Sequence, residues 1–223
     1  MKALFFIICL AFLVPEFALS QIEVPLANNN ALTSINVKTS EEIYLARQSL
    51  KVINTGVDSE ATFVKIGNLN FKNGSIKIEV AGKPGTGSSQ TARGFVGIAF
   101  RINDDNSKFE CFYLRPTNGR ADDQVRRNHS VQYISFPDFP WHKLRKDFPE
   151  KYESYVDLAP GEWTAVTIEV QGEKAKLYVH GNDQPTLIVN DLKLGGNVRG
   201  SIGLWIGPGT EAHFANLQVS KSE

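Results

Sequence analysis

The sequence predicts an all-β protein, a two-sheet antiparallel jelly-roll sandwich. Three observations predict it. Short apolar runs alternate with polar residues at period two, as in residues 75–80, where Ile76, Ile78 and Val80 share one face. Turn chemistry such as Asn73-Gly74, Gly172-Glu173 and Gly181-Asn182 separates the runs. Few segments repeat at helical period, and no strand–helix alternation suggests a parallel sheet.

The elements follow in order. Residues 4–13 are a continuous apolar run after Met1-Lys2, and Ala18-Leu19-Ser20 supplies small residues before Gln21. Residues 1–20 are therefore expected to be a signal peptide, with a secreted or periplasmic product and no membrane span once it is removed. Residues 21–42 are rich in Asn, Ser and Thr and are expected to be a polar lead-in to a single domain over residues 43–223. Strands are expected at 49–53, 61–66 and 75–80, then at 94–101 and 108–115 as a hairpin around Asp104-Asp105-Asn106. Val96, Ile98 and Phe100 should share one face with Phe112 and Leu114. Arg101, Tyr113 and Arg115 should lie on the other. Glu110 falls on the apolar face, which calls for a strand end or a bulge. Residues 116–161 mix charges, prolines and aromatics, with a strand only at 130–135, and extended irregular stretches of this kind are usually functional loops. Strands resume at 163–170, 174–179, 186–189, 200–207 and 212–219.

Composition removes several function classes. Lys plus Arg equals Asp plus Glu at 24 each, so no net field favours nucleic acid or an acidic membrane. Of the two cysteines, Cys9 lies in the expected signal, and Cys111 then has no partner for an internal disulfide. Its neighbours Phe109, Phe112 and Tyr113 point to a packed apolar thiol. There is no Cys/His spacing for zinc and no phosphate-cradling loop, so no cofactor is expected. Asp104-Asp105-Asn106 and Asn182-Asp183 offer oxygens for calcium, but an Asx-type turn explains them as well.

Residues 71–80, the pair of strands across 163–179, and Gly200-Ser201-Ile202-Gly203-Leu204-Trp205 with residues 214–219 resemble the concanavalin A-like lectins and glucanases, including laminin-G-type domains. Within that group the chain is most similar to bacterial exported domains of the 3-keto-disaccharide hydrolase type. The resemblance implies a jelly roll and a carbohydrate partner. It departs from the family-16 glucanases at their Glu-x-Asp-x-x-Glu string, which is absent here. That string supplies the paired carboxylates of a retaining mechanism.

The densest polar stretch runs from Arg115 through Asn118, Arg120, Asp122, Asp123 and Gln124 to Arg126, Arg127, Asn128 and His129, with Trp141 following. Sugar hydroxyls take bidentate partners of these types, and sugar C–H faces stack on aromatic rings. Together with Arg101, Tyr113 and Trp205, these residues form the expected ligand-binding set. The alternative is a solvated loop whose charges pair among themselves. Asp122, Asp123, His129 and Glu153 are candidate general acids or bases. Three functions remain: glycan binding through the concave sheet and the 116–160 loop, hydrolysis of a 3-keto-disaccharide or related glycan, or a structural or protein-binding role of the laminin-G kind, against which the polar loop argues.

Overall fold

In the computed structural model, which describes residues 21–56 and 59–222, two antiparallel sheets pack face to face. The expected signal peptide lies outside the described residues. From the N-terminal end the strands are β1 (Gln21–Val24), β2 (Leu32–Ile35), β3 (Val37–Tyr44), β4 (Arg47–Asn54), β5 (Phe63–Phe71) and β6 (Asn73–Pro84). The chain continues through β7 (Val96–Ile102), β8 (Phe109–Leu114), β9 (Val131–Phe136) and the two-residue β10 (Glu153–Ser154). It closes with β11 (Thr164–Gln171), β12 (Lys174–Val179), β13 (Leu187–Val189), β14 (Gly200–Ile206) and β15 (Thr210–Ser222). One sheet has the order β13-β12-β11-β6-β15-β4-β3, with β1 also paired to β15, and the other has β10-β9-β8-β7-β14-β5-β2. Among the described residues no helix is long and apolar enough to cross a membrane.

The polar stretch 21–42 is not a lead-in. β1 pairs with β15, β2 with β5 and β3 with β4, so it contributes strands to both sheets. Its polarity reflects position rather than separateness: β2 and β3 are edge strands, where polar residues discourage pairing with other chains.

The two sheets differ in how they are buried. β11 in the first sheet alternates, with Val166, Ile168 and Val170 inward and Ala165, Glu169 and Gln171 exposed. In the second sheet every residue of β7 and β8 is buried. Its inner face carries the rings of Phe71, Phe100, Phe112, Tyr133 and Tyr152, each 5.4–6.4 Å from the next. Its outer face carries Phe63, Phe109 and Phe136, and separately Tyr113 and Trp205. Both faces of β8 therefore pack against something, and the outer cover comes from the segments flanking β7 and β9.

Residues 116–161 contain more regular structure than the single expected strand. A 3-10 turn (Pro116–Asn118), α1 (Gln124–Asn128) and α2 (Trp141–Asp147) accompany β9 and β10. The two α-helices are too short to show a helical period in the sequence.

Arg101 is the principal correction to the expected faces. β14 pairs Ser201 with Ile102 and Gly203 with Ala99, so two residues of β7 oppose Ile202 alone. This bulge, with Arg101 at φ 54°, turns the side chain away from the face that carries Tyr113. Arg101 is fully buried and donates to the carbonyls of Lys72, Gly172 and Gly195. It ties turns of the first sheet to the second. Glu110 sits on the inner face, buried, accepting from the Tyr133 hydroxyl and from the Leu194 amide. Burial raises its pKa despite those bonds and despite Arg101.

Candidate functional site

Strand register creates an aromatic floor on the outer face of the second sheet. Gly97 is the paired partner of Trp205 on β14 and of Tyr113 on β8. With no side chain between them, the two rings meet over Gly97 with centroids 4.8 Å apart. A Cβ on Gly97 would stand 2.2 Å from the Phe112 carbonyl oxygen and 2.6 Å from Tyr113 Cβ, so only glycine permits this approach. Trp205 Nε1 donates to the Glu60 carbonyl at 2.7 Å, which fixes the indole. Phe95 meets Tyr113 edge to face, with centroids 6.1 Å apart.

A cavity of about 260 Å³ opens above this floor, walled by Phe95, Ala92, Trp141 and Glu60, with Ser89 and Thr91 at its side. Trp141 begins α2 and is 39% exposed, an unusual position for an indole held in place from behind. Arg145, one turn later, stacks on its ring at 4.8 Å, and Arg115 lies 6.0 Å from the same ring. The Ser89 and Thr91 hydroxyls are 2.7 Å apart.

Behind Trp141 lies a buried ionic cluster. Arg115 donates to Glu153, to Gln132 Oε1, to the Tyr113 hydroxyl and to the His129 carbonyl. Arg145 binds both Glu153 oxygens. His129 Nδ1 is 3.1 Å from Glu153 Oε2, close enough for an ion pair but outside hydrogen-bond geometry. Burial alone would raise the Glu153 pKa. The Arg145 hydrogen bond and the charges of Arg115, Arg145 and His129 outweigh it and hold the carboxyl below its ordinary value. Burial, the largest influence, lowers His129; the Glu153 charge restores part of the loss, and the charges of Arg145 and Arg115 lower it further. Burial likewise drives the Tyr113 phenol well above its ordinary value, so it stays protonated. Glu153 is thus a structural anion, and its two arginines leave it little capacity to carry a proton to a substrate.

The structure gathers Tyr113, Trp141 and Trp205 from the expected set, with Arg115 and His129 just behind. The others lie elsewhere. Arg120 forms an exposed bidentate pair with Asp157 at 2.8 and 2.9 Å. Asp123 caps α1 through Arg126 N, and Gln124 bonds Asn128. Arg126 holds Asn118 and Thr117, Arg127 holds Tyr155, and Asp122 is exposed. Between Asn118 and Asn128, then, Arg120 and Arg127 bond the 155–157 stretch, Arg126 and Asp123 bond neutral or backbone groups of their own segment, and none of these residues lines the cavity. Sequence reading missed Glu60, Phe95, Ala92, Ser89 and Thr91. They sit in loops whose approach to Trp205 depends on sheet order, a long-range property. The Gly in 94–101 was the local signal available for the floor.

Of the two turns considered for calcium, the one at 104–106 is filled from within. Lys65 Nζ lies 3.0 Å from Asn103 O, 3.1 Å from Asp104 O and 2.8 Å from Asn106 Oδ1. Among the described residues no group of three His, Cys, Asp or Glu side chains converges as a metal site.

Neither a family model nor a curated protein matches the sequence. Solved structures do match in fold. The carbohydrate binding module CBM66 from Bacillus subtilis superposes with TM-score 0.58 at 13% identity, over 86% of this chain and 98% of that one. A Bacillus subtilis protein with a galectin-like fold gives 0.51 at 11% identity, over 83% and 88%. The Bacillus licheniformis β-glucanase gives 0.50 at 13% identity, over 95% and 96%. The chain has the jelly-roll fold of these structures.

Proposed function

We propose that this domain binds carbohydrate outside the cytoplasm, seating one sugar ring in the cavity between Trp141 and the Tyr113–Trp205 floor. The observation that carries this reading is Trp141, an exposed indole braced by arginine at the mouth of an aromatic cavity. The apolar face of a pyranose or furanose stacks on such a ring, while Ser89, Thr91 and Glu60 face its hydroxyls. The cavity lies below the range of roughly 300–1,000 Å³ that drug-sized ligands fill, which suits a single ring. The likeness in fold to a carbohydrate-binding module and a glucanase agrees with the reading, although fold alone hosts many functions.

A glycan array on the chain from Gln21 onward tests it, followed by calorimetry with the best ligand. Trp141→Ala should weaken binding by about 2 kcal/mol or more, in the range of buried aromatic anchors. Unchanged affinity in that variant, or no glycan bound at all, would sink the proposal.

Hydrolysis of a 3-keto-disaccharide or related glycan, the activity that the sequence resemblance implies, is the second reading. Glu60 is the observation in its favour, since it is an acidic residue that lines the cavity. The usual glycosidase mechanisms employ two, and Glu153 is committed to Arg115 and Arg145. A product assay on 3-keto and ordinary disaccharides, with Glu60→Gln as control, separates hydrolysis from binding.

A further inference from the structure

The outermost strand of the first sheet leaves one side of its backbone free. β3 ends the strand order, and among the described residues its only strand partner is β4. The pairing closes on Tyr44 and Arg47 around the two-residue turn Leu45-Ala46, at φ 44° and 64°. The closing pair of such a hairpin exchanges both backbone bonds, and the exchange recurs at every second residue. The N–H and C=O groups of Lys38, Ser40, Glu42 and Tyr44 therefore face β4. Those of Val37, Thr39, Glu41 and Ile43 face outward, and among the described residues they have no backbone partner. Two side chains on the strand are equally unspent. Ile43 is 75% exposed, and the exposed Lys38 ammonium has no partner among the described residues.

The sequence of β3 is complementary to its own reverse. Antiparallel pairing of two copies about a two-fold axis at Ser40 sets Val37 against Ile43 of the second copy and Thr39 against its Glu41, so the outward bonding groups meet. Lys38 then stands across from Glu42 of the second copy, at a non-hydrogen-bonded position where side chains come closest. Glu42 meets His213 through Oε1 at 2.8 Å, and its other oxygen has Lys51 only at 3.9 Å, which leaves room for an ammonium. The neighbouring registers that keep the outward groups opposed are worse. One sets Glu41 against Glu41, and the other sets Val37 against Glu41. The polarity of β3 thus discourages indiscriminate pairing and leaves one register in which charge meets opposite charge and apolar meets apolar.

We propose that β3 is a homodimer interface, in which two copies pair β3 with β3, antiparallel about Ser40, and join their first sheets into one. The contact is self-complementary and needs no second surface. It is independent of the carbohydrate reading. A single strand pair is smaller than a standard interface, so the dimer exchanges with monomer as concentration changes.

Sedimentation velocity on the chain from Gln21 onward, over about a hundredfold range of concentration, should show monomer giving way to dimer. Lys38→Glu opposes two pairs of carboxylates and should raise the dissociation constant at least about tenfold. Its circular dichroism and its melting when dilute should match the unaltered chain, because that side chain is exposed and unpaired. Ser40→Cys locates the axis. In the proposed register the two sulfurs meet across a non-hydrogen-bonded pair, whose Cα separation of about 4.5 Å lies within disulfide range. Oxidised Ser40→Cys should therefore run as a covalent dimer, while Lys38→Cys, which faces Glu42, should lag far behind it. Cys111 is fully buried and does not compete. A chain that stays monomeric throughout would overturn the proposal. So would a dimer that Lys38→Glu leaves unchanged, or one in which the two cysteine variants cross-link equally fast, as random collision would make them.

Discussion

Arg115 Nη1 and Glu153 Oε1 stand 3.1 Å apart, with side chains only 6% and 3% exposed. The charge that the sequence offers as a ligand contact is spent inside the protein. Arg115→Ala would leave Glu153 with Arg145 as its remaining guanidinium partner and strip donors from Gln132 and the His129 carbonyl. Breaking a buried pair in this way costs about 3 kcal/mol, or roughly 6–12 °C in Tm for a domain of this size. Arg115→Lys should recover only part of the loss, because one ammonium cannot reproduce a planar fork. Thermal melts followed by near-ultraviolet circular dichroism measure both. A wild-type Tm for the alanine variant, with ligand binding lost, would instead make Arg115 a contact residue.

Acid should unfold the protein partly through Asp191. Its Oδ2 accepts from Lys151 Nζ, Lys193 Nζ and the Tyr152 hydroxyl at 2.7–2.9 Å. Burial opposes ionisation, but these bonds and the Lys193 charge prevail and hold the carboxyl at about 2, against an ordinary 3.8. A folded value below the unfolded one gives stability that is fully present above about 3.8 and lost as pH falls toward about 2. Asp191→Asn should melt lower than wild type at neutral pH, and the gap should close across that window. Glu153 acts with the same sign and Glu110 with the opposite one. Both are present in the two proteins compared, so the difference isolates Asp191. A gap that stays constant down to pH 2 would contradict the assignment.

Lys65 should make the 103–106 turn independent of calcium. Its ammonium already meets three oxygens of that turn. Added calcium or a chelator should leave the Tm of the unaltered chain where it is. Lys65→Met should lower stability by about 2 kcal/mol, the scale of hydrogen bonds to a charged group. A marked fall in Tm on chelation would show that a metal is bound and that the lysine does not substitute for one.

Period-two alternation located β11 and β12 well, because each buries one clear set of side chains, whereas β14 and the middle of β15 are buried on both faces. It failed at β7, where one extra residue reverses the phase at Arg101. A bulge has no signature in hydrophobic pattern, and Glu110 did not mark it: Glu110 pairs in unbroken register with Phe100 and Ser135 on the inner face, and the bulge lies on the other side of β7. The candidate site was half legible. Tyr113, Trp141 and Trp205 are identifiable as aromatics near polar chain. Their meeting depends on which strands flank Gly97, and the polar loop at 118–128 drew attention because charge density does not reveal whether charges face a ligand or each other.

Gly97 therefore offers the sharpest test of how the floor is built. It occupies β7 between the strands that carry Trp205 and Tyr113. An added methyl would fall 2.2 Å from a backbone oxygen of β8, which cannot swing aside as a flexible side chain can. Gly97→Ala must part β7 from β8 or displace Tyr113. Overpacking of this kind costs about 1–3 kcal/mol. The local consequence should exceed the global one. Tyr113 would move from Trp205, now 4.8 Å away by ring centroids, and the cavity floor would break. Because Trp205 is 2% exposed and bonded to the Glu60 carbonyl, its emission should shift toward that of a hydrated indole. Sugar affinity should fall by more than the loss in stability explains, while the far-ultraviolet spectrum stays that of a β-sandwich. If emission, affinity and Tm all match the unaltered chain, the two rings do not depend on Gly97 and the floor is positioned by something else.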